Sequence, residues 1–99
     1  MTVDFLIDGM LSGTGIRDAV NGGYVDPTSI GISGAALEHL NQWQKFYEQA
    51  HFAGFPVDKV TELDEQGLLL TKEISKANPD KTFAYFSDGL MKRLPPDAG

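Results

Sequence analysis

A glycine-rich stretch near the start of the chain contains the residues whose types and spacing come closest to a phosphate site. The segment GTGIRD at residues 13–18 follows a strand-like segment and begins like the glycine fingerprint of dinucleotide-binding folds. Glycines in such a loop let a phosphate approach backbone amides, and an arginine can pair with the anion. Asp18 stands where the fingerprint has its third glycine, so the match is partial. The glycine-rich loop 9–23 therefore gives an alternative function, an anion- or small-ligand-binding domain. The candidate ligand-binding residues in this loop are Gly13, Gly15 and Arg17.

Side chains that could act in nucleophilic catalysis or bind a metal lack partners at the required spacing. Ser33 lies in the segment GISGA, which departs from the nucleophile elbow at its last position and suits a helix N-cap better. His39 and His51 would lie about 18 Å apart on one helix, too far to share a metal ion. The chain has no cysteine. We therefore expect a protein that is not an enzyme, with no metal site and no cofactor.

The densest group of acidic residues follows a short segment with two aromatic residues. The chain has fourteen acidic and eight basic residues, a net charge of −6. Such a charge disfavours binding to a phosphate backbone and favours encounter with a basic protein. We expect a protein partner, no nucleic acid and no membrane, and a homodimer stays open. The predicted partner-binding residues are Phe52, Phe55, Asp58, Glu62, Asp64 and Glu65.

Two segments have the apolar periodicity of amphipathic helices. The first follows Ser33 and ends near residues 51–54, and the second begins near Thr61 and ends at Asn78. Thr61 and an acid three positions later have the spacing of a capping box. A glycine within the second apolar seam, Gly67, indicates close approach by another group, which we expect to be Trp43. The side chains expected to form one buried cluster between the helices are Leu40, Trp43, Leu70 and Ile74.

The flanking segments predict a small sheet. Residues 2–8 and 82–87 alternate as strands do, residues 90–94 are a candidate third strand, and residues 16–20 suit a short helical turn. Together the elements predict an α+β fold, a small sheet of two to three strands with two amphipathic helices packed on one face. We expect a single globular domain over residues 1–94 and a frayed C-terminal tail over residues 95–99.

The composition bears on the compartment as well. No apolar run approaches the ~20 residues that a membrane span needs, and acids near the N-terminus do not suit a signal peptide. The lack of cysteine fits a reducing environment. The sequence therefore predicts a cytoplasmic location.

The pattern from Ile32 to Tyr85 adds a resemblance. It consists of Leu37, Leu40, Trp43 and Tyr47 on the first helix, the segment LDEQG at residues 63–67, and the strand FAYF at residues 83–86. This pattern, over about half of the chain, resembles small bacterial immunity proteins of polymorphic and contact-dependent growth-inhibition toxin systems. The resemblance implies a cytoplasmic partner that binds and blocks a toxin without catalysis.

Overall fold

The computed structural model of the chain describes residues 3–10 and 13–94. The strands are β1 (Phe5–Asp8), β2 (Ile16–Asp18), β3 (Phe83–Ser87) and β4 (Lys92–Leu94), and the helices are α1 (Gly34–Phe52) and α2 (Val57–Ala77). A short 3₁₀ helix, Pro27–Ile30, precedes α1. The predicted tail at residues 95–99 lies outside the described residues.

The four strands form one mixed sheet in the order β2-β1-β3-β4. The central strands β1 and β3 are parallel, with Ile7 opposite Tyr85, and each pairs antiparallel with a short outer strand. The α+β class is therefore confirmed, but the sheet has four strands rather than two to three. The additional strand is β2, where the sequence suggested a helical turn. That prediction is wrong because Ile16 is fully buried opposite Ile7 in the antiparallel ladder.

Both helices pack against one face of this sheet. Ile7 and Tyr85 from the central strands share one buried cluster with residues of α1 and α2. The Trp43 indole N–H also donates a hydrogen bond to the Leu63 carbonyl at 3.0 Å, which ties the two helices together. The predicted cluster between the helices is confirmed, since it contains Leu40, Trp43, Leu70 and Ile74.

The helix starts differ from the sequence prediction in their hydrogen bonds. Ser33 is the N-cap of α1, but its side chain makes no capping hydrogen bond. Helix α2 begins at Val57, one turn before the predicted start. Thr61 therefore lies inside the helix, where its hydroxyl donates to the Val57 carbonyl at 2.9 Å, and the capping box is wrong. This earlier start places Asp64 in the interior of α2.

Gly67 is the point of closest approach between α2 and the sheet. A Cβ atom at this position would lie 2.6 Å from Cζ and 2.8 Å from Oη of Tyr85. The aromatic neighbour of Gly67 is therefore Tyr85 on β3, and the prediction of Trp43 on α1 is wrong. Trp43 lies beyond it, with the two rings 5.8 Å apart in an edge-to-face arrangement.

Candidate functional site

The outer surfaces of α1 and α2 leave a groove between them on the side away from the sheet. One half, of about 430 Å³, lies towards the helix–helix connection and is lined by residues that include Gln49, Glu62 and Leu63. The other half, of about 320 Å³, extends along the helices. Phe46 and Gln66 line both halves, so the two halves adjoin at these side chains.

Several large apolar side chains are exposed along this helical surface. Phe46 is 53% exposed and Leu69 66% exposed, and both line the groove. Phe52 and Val57, at the adjoining helix ends, are 80% and 82% exposed. Phe46 and Leu69 line the same half of the groove, and a contiguous exposed apolar surface is the type that marks interaction sites on small domains. In the sequence, Phe46 widens the apolar stripe of the first helix. This widening is the signal from which an apolar side chain at the edge of the helix pair could have been predicted.

Three of the predicted acidic residues are on this helical surface, and one is not. Asp58, Glu62 and Glu65 are exposed on α2. Asp64 is only 5% exposed and faces the sheet, where its carboxylate accepts hydrogen bonds from the Tyr85 hydroxyl at 2.7 Å and the Ser87 hydroxyl at 2.8 Å. The inclusion of Asp64 in a partner-binding surface is therefore wrong. Burial, together with the bond to Asp64, raises the pKa of Tyr85 far above its usual range.

The two predicted aromatic anchors also differ in their environments. Phe52 is almost fully exposed, whereas Phe55 packs against the core. The Phe55 ring lies 4.6 Å from the His51 ring and 6.4 Å from the Tyr47 ring, both edge-on. Phe55 therefore packs the connection between α1 and α2 against the core, and its side chain is only partly exposed. The exposed aromatics are Phe46 and Phe52.

The alternative ligand residues are engaged in packing and in an ion pair. The Cβ that Gly13 lacks would meet the Tyr24 ring at 2.8 Å, and that of Gly15 would meet Leu40 Cδ1 at 2.8 Å. Arg17 lies on β2, with its Nε 3.2 Å from an Asp8 carboxylate oxygen. Arg17 therefore already forms one ion pair with a buried carboxylate, through its Nε.

A cluster of ionisable side chains lies where the parallel strands β1 and β3 end. Asp8 is fully buried at the end of β1, and Asp88, which follows β3, is 3% exposed. His51, at the end of α1, donates a hydrogen bond from Nε2 to the Gly9 carbonyl at 3.0 Å, and the same nitrogen is 3.8 Å from Asp88 Oδ2. Burial, followed by hydrogen bonding to Asp8, raises the pKa of Asp88 to about 7. Sequence analysis missed this pair, although both strands run into an Asp-Gly dipeptide.

The burial of this cluster limits its chemistry. Two carboxyl groups that are 0% and 3% exposed cannot touch a substrate in this conformation. In the described part of the chain, no three His, Cys, Asp or Glu side chains are grouped so that they could hold a metal ion.

Among residues 3–10 and 13–94, no helix is both long enough and apolar enough to cross a membrane. Comparisons of the chain with protein-family models, with curated proteins and with solved structures give no match.

Proposed function

We propose that this chain is a cytoplasmic, non-catalytic protein-binding domain that takes a basic segment of another protein into the groove between α1 and α2. The observation that supports it most directly is Phe46, which is half-exposed at the point where the two halves of the groove meet. An aromatic side chain at the centre of a groove is a typical anchor of protein interfaces, where a few aromatic contacts supply most of the binding energy. Leu69 extends the apolar surface along α2.

The charge of the surface favours a basic partner. Asp58, Glu62 and Glu65 are spaced four and three residues apart, so they lie along one exposed stripe of α2. Lys59, in the first turn of α2, also lines the groove, so the charge of this surface is negative overall but includes a basic side chain. Together with a net charge of −6, the stripe would speed encounter with a positively charged protein.

The resemblance to immunity proteins favours a toxin as this partner. Toxins that act on nucleic acids need positive surfaces, because they must approach phosphate backbones. An acidic domain that covers such a surface would neutralise the toxin without catalysis. In this proposal the chain is an immunity protein or antitoxin, and the apolar groove supplies affinity while the acidic stripe supplies association rate.

The test uses two exposed apolar residues that are matched in accessibility. Phe46→Ser removes the side chain in the groove, and Leu90→Ser removes one that is 51% exposed on the turn between β3 and β4. Proteins captured from native lysate by the unaltered chain and by Leu90→Ser, but not by Phe46→Ser, would support the groove. We expect the dissociation constant of a purified captured partner to rise at least tenfold in Phe46→Ser.

The acidic stripe is tested by kinetics with the same purified partner. We expect Glu62→Lys with Glu65→Lys to lower the association rate and its salt dependence, with a smaller effect on dissociation. Capture of the same proteins by all variants would contradict the proposed surface. Thermal stabilisation by phosphate or nucleotides that is lost in Arg17→Gln would instead favour the alternative ligand site.

A further inference from the structure

Two buried carboxyl groups meet at the carboxyl ends of the central strands. Asp8 pairs with Phe86 in the parallel ladder, and Asp88 follows two positions after Phe86, in the turn after β3. Asp8 is 0% exposed and Asp88 is 3% exposed, so water does not solvate either group freely. Arg17 offers a positive charge to Asp8. Neither Asp88 oxygen has a hydrogen-bond donor among the described residues.

The hydrogen-bond donor that Asp88 and Asp8 lack is supplied if the two carboxyl groups hold one proton between them. Two ionised carboxylates only accept hydrogen bonds, so they repel each other at close range in a medium of low dielectric constant. If Asp88 is protonated, its hydroxyl becomes a donor to Asp8, and Arg17 then balances the single remaining negative charge. We propose that Asp8 and Asp88 share one proton, and that this pair is a pH-sensitive latch that fastens the turn after β3 to the end of α1.

The contacts around the pair show what the latch would hold. The Gly89 backbone N–H donates to the Tyr47 hydroxyl at 2.9 Å, which joins this turn to α1. The Leu90 backbone N–H donates to the Ser87 hydroxyl at 3.1 Å, and this hydroxyl also bonds Asp64. A second negative charge, at Asp88, would repel Asp8 and weaken the attachment of this turn to α1. The ionisable groups that face Asp88 from the surrounding elements are Asp8, Arg17, Tyr24, Tyr47, His51 and Asp64.

The direction of the pH effect follows from where the proton is bound. The pKa of Asp88 is raised to about 7 in the folded chain, whereas an aspartate in an unfolded chain titrates near 4. Between these values the folded protein binds the extra proton and the unfolded protein does not. The contribution of this proton to stability therefore declines as the pH rises from about 4 to about 7, and it is constant above that.

The direct test is a carbon-13 NMR titration of the aspartate carboxyl groups in the unaltered protein. We expect Asp88 to titrate with a midpoint above 6. We also expect the exchange protection of the Gly89 and Leu90 amides, corrected for the intrinsic effect of pH, to fall at least tenfold between pH 5.5 and 8. A midpoint near 4 would overturn the proposal, and so would unchanged protection, because an ionised Asp88 would then be accommodated without consequence.

Variants identify the group that carries the pH dependence. The melting temperature of the unaltered protein should fall by roughly 5 °C or more between pH 5 and 7. Asp88→Asn should remove most of this fall, whereas Asp80→Asn, at an exposed aspartate paired with Lys81, should retain it. His51→Gln should also retain it, and a flat profile in this variant would assign the proton to His51 and overturn the proposal. Stabilisation by millimolar Mg²⁺ at pH 8 that is lost in Asp88→Asn would show a cation site instead of a shared proton.

Discussion

Replacing Gly67 with alanine sets helix propensity against packing, and the structure predicts that packing dominates. In an exposed helix, Gly→Ala gains about 1 kcal/mol. At Gly67 the new methyl group would lie 2.6 Å from Cζ of Tyr85, well inside van der Waals contact. The Tyr85 ring is fully buried between Trp43 and the hydrogen bond to Asp64, so it has no free space into which to move.

The magnitude follows from these opposing effects. Overpacking in a rigid core costs up to about 3 kcal/mol, and any distortion of the hydrogen bond to the Asp64 carboxylate adds to it. With an overpacking cost of about 1–3 kcal/mol, about 1 kcal/mol for the strained hydrogen bond and a propensity gain of about 1 kcal/mol, we expect Gly67→Ala to lower the free energy of unfolding by about 1–3 kcal/mol. Urea unfolding, followed by circular dichroism and by the fluorescence of Trp43, measures this difference.

A second background separates clash from propensity. In Tyr85→Leu the ring that blocks the new methyl group is absent, so Gly67→Ala should become neutral or stabilising there. Asn41→Ala, on the exposed face of α1, gives the propensity gain without a clash, about 0.5 kcal/mol. If Gly67→Ala were as stable as the unaltered protein, the close contact between α2 and β3 would be wrong.

Three further substitutions test the core and the two buried carboxylates by urea unfolding. Leu70→Ala should cost about 2–5 kcal/mol, since it empties a position in the cluster between the helices, and a loss below about 0.5 kcal/mol would contradict the helix pairing. Asp64→Ala should cost about 2–4 kcal/mol because two buried hydroxyls lose their acceptor, whereas Glu65→Ala next to it should change stability by less than about 0.5 kcal/mol. Arg17→Leu should cost about 1–3 kcal/mol because it leaves the Asp8 carboxylate without its cation. The double variant with Asp8→Asn should recover part of this loss, and no recovery would contradict the importance of the ion pair.

The helices and the central strands could be predicted from local pattern alone. Leu40 and Trp43 recur at helical spacing with polar residues between them, and Phe83 and Tyr85 alternate with residues of the other sheet face. These periodicities identify the buried face of each element. They also favour packing of both helices on the sheet, because the apolar seam of each helix must be buried.

The side on which Asp64 lies could not be predicted in the same way. An acid near a helix start normally faces solvent, where it complements the helix dipole. Asp64 instead faces β3, because α2 begins a turn earlier than its sequence suggests and two hydroxyls satisfy the carboxylate there. Those hydroxyls belong to a strand that is distant in sequence, and no local pattern indicates that they will meet Asp64. The core contact of Phe55 is likewise not indicated by helical spacing, because the chain leaves α1 through Gly54 and Phe55, both with positive φ, and this turn sets the Phe55 ring against His51 and Tyr47.

The pairing of Asp8 with Asp88 depends on the most non-local contact in the molecule. Strands β1 and β3 are parallel, so the chain must cross from one end of the sheet to the other through both helices before the two Asp-Gly dipeptides can meet. An antiparallel pairing of the same strands would have placed these carboxyl groups at opposite ends. The parallel register therefore brings both residues to the same end of the sheet.

The groove and the carboxyl pair are separated by the helix layer, and this separation has a consequence for experiments on both. The groove faces away from the sheet, while Asp88 Oδ2 lies 3.8 Å from His51 Nε2 at the end of α1, and the neighbouring Gly89 N–H donates to the Tyr47 hydroxyl. Phe46 is half-exposed in the groove and Asp88 is buried at the end of the sheet, so we expect the effects of Phe46→Ser and Asp88→Asn on stability to add. The route by which ionisation of Asp88 could reach the groove is His51, which contacts Phe55 in the connection between the helices. We expect a partner in the groove to bind the Asp88→Asn variant with the same dissociation constant as the unaltered protein, and a difference between the two constants would show coupling through the contact of Phe55 with His51.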